Sequence, residues 1–189
     1  AALAQVVFPL RVVRRIIGGQ PDPLGSVLAV LGRAWPAGAN VATEGGRPYF
    51  AGIVRNVRKV PPHTDSAARD LPGWTVSGVT SQLSWNLYLS VPEAGGEFSI
   101  WPRRGTAEDE LTYRYAPAGQ YGPEGKKGYR DDIVKGIDPV EIAPRVGRLI
   151  LLNTLFYHTV RDVRGPRPRY AMASFIGIVD DTSPLVLWC

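Results

Sequence analysis

Pro62-His63-Thr64-Asp65 closes the apolar run Tyr49-Phe50-Ala51-Gly52-Ile53-Val54-Arg55-Asn56-Val57-Arg58-Lys59-Val60 and sets an imidazole and a carboxylate two residues apart. In an extended chain, side chains at i and i+2 share a face, so His63 and Asp65 point the same way and can grip one cation. The sequence holds two histidines. The second, His158, lies in Phe156-Tyr157-His158-Thr159-Val160, directly after the strand-like run Arg148-Leu149-Ile150-Leu151-Leu152-Asn153. Both histidines are therefore expected at strand ends.

Working outward, Pro23 to Trp35 reads as a helix, with Asp22 as N-cap, Pro23 in the first turn, and Leu24, Val27, Leu28 and Leu31 at helical spacing. The residues around Pro36 to Gly46, and the polar stretch from Asp65 to Gly73, read as loops, and Tyr49 to Val60 as one strand delivering the chain to His63. Leu83-Ser84-Trp85-Asn86-Leu87-Tyr88-Leu89-Ser90 alternates as a half-buried strand. Its leucines share one face; Asn86 and Tyr88 share the other, which in a barrel-like fold lines the interior. The turn Pro92-Glu93-Ala94-Gly95-Gly96 predicts a hairpin with Glu97 to Trp101. Further strands are expected at Val140-Glu141-Ile142, at Arg148 to Asn153 after a Val146-Gly147 turn, and at Arg169 to Val179. Between them, Arg103 to Gly136 is a long polar insertion carrying Tyr113, Tyr115, Tyr121 and Tyr129, and such insertions commonly form lids or substrate-binding loops. Ala1 to Gly19 fits either a helix or strands.

At 189 residues, with 44% hydrophobic and 10% aromatic residues, the chain is expected to form a single domain with a sizeable core. Its 21 glycines and 17 prolines break it into short runs and favour a mostly β fold with flanking helices. One cysteine, Cys189, leaves no intramolecular disulfide to form, and a reducing, cytoplasmic setting follows as the expectation. No apolar run has the length of a membrane span, and Ala1 to Leu10 lacks a basic-then-apolar leader pattern. The sequence begins without methionine, so its natural N-terminus is expected to be missing. The net charge of +5 is scattered, with Arg14-Arg15, Arg103-Arg104 and Lys126-Lys127 only as doublets, so neither a nucleic acid nor a membrane is expected as partner.

Two imidazoles and one carboxylate form a donor set that holds Fe(II) on one side and leaves neighbouring positions open to oxygen and substrates. The same three ligands suit a zinc hydrolase, which needs in addition a general base and an oxyanion donor that no motif supplies. The pair Asp131-Asp132 makes a poor second metal site, because adjacent side chains diverge on a strand or helix.

His63-Thr64-Asp65, Asn86-Leu87-Tyr88-Leu89, Gly95-Gly96-Glu97-Phe98, Gly147-Arg148-Leu149-Ile150, His158-Thr159-Val160 and Arg169-Tyr170, in that order, resemble the Fe(II)/2-oxoglutarate-dependent oxygenases of the prolyl-hydroxylase-like superfamily. Ser81-Gln82-Leu83 through Tyr88, Glu108-Asp109-Glu110 to Tyr115, and Ala173-Ser174-Phe175-Ile176-Gly177 are similar to the bacterial branch that includes carrier-independent alkaloid halogenases and related hydroxylases.

The resemblance implies a double-stranded β-helix, or jelly roll of cupin type, with helices on one sheet. It implies Fe(II) held by His63, Asp65 and His158, with 2-oxoglutarate and O2 as co-substrates. The far carboxylate of 2-oxoglutarate would meet Arg169, with Arg167 as rival; Tyr88 would donate to it, and Asn86 would lie beside it. Halogenases of this branch carry glycine or alanine where Asp65 stands, so hydroxylation of a small natural product or amino-acid-like molecule is the implied reaction. Desaturation or cyclisation would start the same way. A non-catalytic cupin-like module binding a metal or sugar is the alternative from another class. The Arg103 to Gly136 insertion and the Pro23 to Trp35 helix are the candidates for substrate contact.

Overall fold

The computed structural model describes residues 22–114 and 129–189. The expectations for Ala1 to Gly19, and for Tyr115 and Tyr121, lie outside the described residues.

The helix α1 (Pro23–Ala34) starts as expected: Asp22 caps it, its carboxylate accepting from the Leu24 amide at 3.1 Å, and Pro23 takes a first-turn position that needs no amide. Short strands β1 (Ala39–Val41), β2 (Thr43–Glu44) and β3 (Arg47–Pro48) occupy the predicted loop. The run from Tyr49 is two strands, not one: β4 (Ile53–Asn56) and β5 (Val60–His63), which belong to different sheets. A short helix, α2 (Ala67–Asp70), and a 3-10 turn (Thr75–Gly78) replace the expected polar loop. Then follow β6 (Ser81–Ser90), β7 (Ala94–Gly95), β8 (Phe98–Arg104) and α3 (Ala107–Thr112). After a second 3-10 turn (Asp131–Val134) come β9 (Val140–Ile142), β10 (Leu149–Asn153), β11 (Phe156–Val160), β12 (Val163–Arg164), β13 (Tyr170–Ile178) and β14 (Leu185–Trp188).

One sheet runs β1-β14-β13-β6-β10, with β4 also paired to β13; the other runs β5-β11-β8-β9. The predicted hairpin between 83–90 and 97–101 does not form. Both flanks of β6 are taken, by β13 and β10, so the chain crosses to the second sheet before β8 begins. The crossing is pinned by the β7–β12 pair. Gly95 there has φ 75°, and a Cβ on it would stand 1.9 Å from the Asp162 carbonyl oxygen, so backbone packs on backbone and only glycine fits.

The two faces of the larger sheet have different tasks. On its outer face, Leu24, Val27 and Leu31 of α1 pack on Trp85, Met172, Ile176, Leu185 and Leu187. Burying each large apolar side chain there contributes roughly 1.5–3 kcal/mol. This makes α1 a structural cover, and the expectation that it touches substrate is corrected. The inner face carries Asn86 and Tyr88, as read from the alternation, while Leu89 is 40% exposed because the β6–β13 register slips beside it. Leu152 on this sheet meets Phe98 and Val160 of the other across the interior. Two facing sheets with a helix on one outer side form the double-stranded β-helix.

Of the 103–136 insertion, the described parts are ordered into the scaffold. Thr106 and Asp109 form a reciprocal capping box at the start of α3. Tyr129 is 1% exposed and packs with Trp101, Ile133, Val134 and Tyr157, so it is core and does not face a ligand. Asp131 and Asp132 are exposed, and Asp132 pairs with Arg130 at 3.4 Å. No helix among the described residues is long and apolar enough to cross a membrane.

Candidate metal centre

His63 ends β5, whereas His158 sits in the middle of β11 and not at a strand end, because β11 is paired on both flanks. The two strands are antiparallel neighbours with His63 and His158 directly opposite, so both imidazoles stand on one face with ring centroids 4.1 Å apart. Phe98 stacks on His158 at 5.5 Å and 17°.

Each histidine Nδ1–H donates to the carbonyl two residues upstream, Pro61 and Phe156, at 2.9 Å in both cases. A carbonyl can only accept, which puts the proton on Nδ1 and leaves Nε2 as a lone pair. Both Nε2 atoms face the same oxygen, Asp65 Oδ2, at 3.8 Å and 3.3 Å. Among the described residues these three form the one His/Cys/Asp/Glu group able to hold a metal ion, their ligand atoms lying within 4.8 Å of one another. Two lone pairs and a carboxylate oxygen turned on each other repel. A shared cation reconciles them, and cis ligands about 2.1 Å from a metal lie about 3 Å apart. The donor set therefore fits Fe(II), with a free side for other ligands.

The charges agree. Burial, and next the neighbouring His158, push His63 down to about 4 against the pull of Asp65, so its ring is neutral at pH 7, as a ligand must be. Burial alone would raise Asp65, but His63 and His158 outweigh it and hold the carboxyl well below the usual carboxylate range.

The loop joining the ligands is tied from both sides. Thr154 accepts the Asp65 amide on its carbonyl at 2.9 Å and donates its hydroxyl to the Asp65 carbonyl at 2.9 Å. Arg69, on α2, donates to the Thr64 carbonyl at 2.8 Å and to Thr64 Oγ1 at 2.9 Å. Arg69 is itself held by Asp70 at 2.7 Å and by Glu110 of α3 at 3.0 Å. Glu110 also takes Tyr129 and Arg114. No motif in the sequence singles out Thr154 or Arg69, and Phe98 stands there only as part of the strand from Glu97 to Trp101. Ser66 four residues before Asp70 is the signal that could have found α2, since Ser66 caps it by accepting from the Arg69 amide.

Deeper on the inner face, the two candidate anchors separate. Arg167 is exposed to solvent, while Arg169 is 2% exposed, its guanidinium carbon 5.0 Å over the Tyr88 ring and Nη2 3.5 Å from the Tyr88 hydroxyl. Arg169 Nε is buried with no hydrogen-bond partner among the described residues. A buried guanidinium without an anion is costly, and a bidentate carboxylate is what satisfies it. Gly96, at φ 72°, makes room for its stem: a Cβ there would stand 3.1 Å from Arg169 Cδ. Asn86 lies on the same face, half-buried, with one long contact from its amide to Ser84 Oγ at 3.4 Å.

Comparisons with known proteins bear on the family and the fold. The family model described as "Carrier-protein-independent halogenase WelO5" matches residues 22–189. Leucinostatins biosynthesis cluster protein S of Purpureocillium lilacinum is 34% identical over 178 residues, covering 88% of this chain and 70% of that protein. L-gamma-glutamyl-L-propargylglycine hydroxylase of Streptantibioticus cattleyicolor is 33% identical over 174 residues, covering 91% of this chain and 60% of the hydroxylase. Among solved structures, an N-substituted L-amino acid dioxygenase from Burkholderia ambifaria superposes with TM-score 0.59 at 16% identity, over 86% of this chain and 62% of that one. The same dioxygenase in complex with alpha-KG gives TM-score 0.55 at 15% identity. These two share the fold. With a family match over residues 22–189, two relatives above 30% identity and a donor set that fits iron, the chain belongs to the carrier-protein-independent halogenase WelO5 family, among the Fe(II)/2-oxoglutarate-dependent oxygenases.

Proposed function

We propose that this protein hydroxylates an unactivated C–H bond of a small amino-acid-like molecule or natural product. Fe(II) is held by His63, Asp65 and His158, and 2-oxoglutarate is anchored through its far carboxylate on Arg169. The observation that carries this reading is the carboxylate of Asp65 set against both Nε2 atoms. In the halogenating members this side chain is absent, which frees an iron position for halide; here Asp65 occupies that position and hydroxylation is the outcome. The relative named a hydroxylase supports the same choice.

When bound, Fe(II) with O2 and 2-oxoglutarate supplies the oxidising power: one oxygen atom converts the keto acid to succinate and CO2, and the other ends in the product hydroxyl. The chain's residues do the rest. The hydrogen bonds to Pro61 and Phe156 keep the histidines aimed and in one tautomer. Arg169 and Tyr88 fix the keto acid's far end, and a guanidinium suits this because it stays charged and pairs in bidentate fashion. Phe98, Leu152 and Val160 keep the interior apolar and exclude water.

The test is substrate-dependent succinate release across a panel of amino-acid derivatives, with the product weighed. A gain of one oxygen atom in the wild type, and its loss in Asp65→Gly, is expected. A product two hydrogens lighter and without added oxygen would reassign the reaction to desaturation or ring closure. Succinate release undiminished in His158→Ala would remove that residue from the site.

A further inference from the structure

The inner face of the larger sheet has a second end, remote from Arg169. Back along β6 from Tyr88, the residues on that face are Asn86, Ser84 and Gln82, which stand opposite Ala173, Phe175 and Gly177 of β13. Gln82 therefore lies roughly 20 Å along the strand from Tyr88. Trp188 of β14 stands opposite Phe175, and the two rings are 5.7 Å apart. At this end a cavity of about 290 Å³ is walled by Ala67, Leu71, Phe175 and Trp188 and bordered by Asp65 itself.

Gln82 lines this cavity and is 5% exposed. Its backbone carbonyl takes the Thr154 amide and hydroxyl, each at 3.4 Å, so the residue that holds the Asp65 backbone holds Gln82 as well. Its side-chain Oε1 accepts from the Ala67 amide at 2.7 Å. A backbone N–H can only donate, so the oxygen is fixed there and the NH2 group of Gln82 is turned away from it. Among the described residues that NH2 group meets no acceptor. A buried donor left without a partner is costly, and a ligand oxygen removes the cost. The other polar groups of the cavity are engaged: Asp70 accepts from Arg69 at 2.7 Å and from the Ser66 amide at 3.2 Å, Ser66 Oγ accepts from the Arg69 amide at 3.4 Å, and Cys189 Sγ donates to the Ala173 carbonyl at 3.2 Å. No Lys, Arg or His among the described residues lines the cavity, so a carboxylate placed there would face Asp65 and Asp70 with no cation to balance it. An ammonium brings only donors, which Gln82 cannot use.

We propose that this cavity seats the uncharged end of the substrate, an apolar group bearing a neutral carbonyl oxygen, and that Gln82 is the specificity-determining residue that selects it by donating to that oxygen. The border with Asp65 sets the seated group beside the metal position and away from Arg169. The inference rests on the triad holding Fe(II) and Arg169 holding the keto acid, and it adds the residue that reads the substrate.

The probes are acetophenone against ethylbenzene and cyclohexyl methyl ketone against ethylcyclohexane, with benzoate as the charged counterpart. Each is titrated anaerobically, at about pH 8, into protein loaded with Fe(II) and saturating 2-oxoglutarate, and read by the perturbation of the visible charge-transfer band. In the wild type the ketones should bind about fivefold or more tighter than the hydrocarbons, and benzoate about tenfold or more weaker than acetophenone. Gln82→Met should bring the ketone preference below about twofold. Gln82→Glu separates selection from scaffolding: ionised at that pH, its carboxylate still accepts the Ala67 amide but has no hydrogen to donate. It should lose the ketone preference as fully as Gln82→Met does. A preference that survives Gln82→Glu would reduce Gln82 to a tie for α2 and overturn the proposal. Equal binding of ketone and hydrocarbon by the wild type, or benzoate matching acetophenone, would overturn it too. A band that forms with 2-oxoglutarate but answers to no probe sinks this proposal alone, whereas iron-loaded wild type that gives no band at all sinks the reading of the site and this inference with it.

Discussion

Arg69 and Arg169 flank the same triad and are built in opposite ways. Arg69 is saturated, donating to Thr64, Asp70, Glu110 and Tyr129, with a quarter of its side chain in solvent. Arg169 is buried and, among the described residues, makes one long hydrogen bond, to the Tyr88 hydroxyl at 3.5 Å. A guanidinium whose donors are all used is scaffold, since any ligand would have to displace a partner first. One kept out of water with donors to spare is paid for only when an anion arrives. The contrast separates the residue that shapes the loop between His63 and Asp65 from the residue proposed to anchor 2-oxoglutarate.

Four substitutions test that contrast. The largest effect belongs to Arg169→Ala, which should raise the KM for 2-oxoglutarate by roughly 100-fold or more while leaving the melting temperature unchanged or higher, since it removes an uncompensated buried charge. A large loss of stability with little change in KM would make Arg169 structural and collapse the distinction. Arg69→Ala should behave the other way: Fe(II) affinity should fall by about 10–100-fold as the loop between His63 and Asp65 loosens. Stability should drop by about 1–3 kcal/mol, discounted for the exposed part of its ion pairs. Equilibrium metal titration and denaturant unfolding read the two terms, and unchanged metal affinity would show that Thr154 holds the loop alone. Gly96→Ala forces a Cβ against Arg169 Cδ, Pro92 and Val163 at a positive φ. It should cost about 1–3 kcal/mol and raise the 2-oxoglutarate KM severalfold, joining both readouts in one residue. Arg167→Ala, at an exposed position, should move either quantity by less than about twofold; a larger KM effect than that of Arg169→Ala would transfer the anchor to it.

What could be read from residues alone was whatever local chemistry dictates. The i, i+2 spacing of His63 and Asp65, the Asp22-Pro23 start of α1 and the alternation of Asn86 and Tyr88 are short-range signals, and each reappears in the structure. The errors fall where tertiary pairing decides. Nothing between Val57 and Lys59 announces that the chain changes sheets, and a turn followed by an apolar run looks the same whether the next strand pairs back or crosses over. His158 was expected at a strand end because it follows the apolar run Arg148 to Asn153, whereas Phe156 to Val160 form a strand of their own with partners on both sides. Arg69 and Thr154 were missed for the same reason: their partners lie across the fold, and a lone Arg or Thr in a polar segment carries no signal of them.

His63, Asp65 and His158 are proposed to hold one ferrous ion to which 2-oxoglutarate also binds. Anaerobic titration of the protein with Fe(II) and then 2-oxoglutarate reads this out. A weak visible charge-transfer band that saturates at one iron per chain, and that disappears in His158→Ala, is the predicted result. Stoichiometric iron with no band on adding the keto acid, or a band of full strength in His158→Ala, would contradict it.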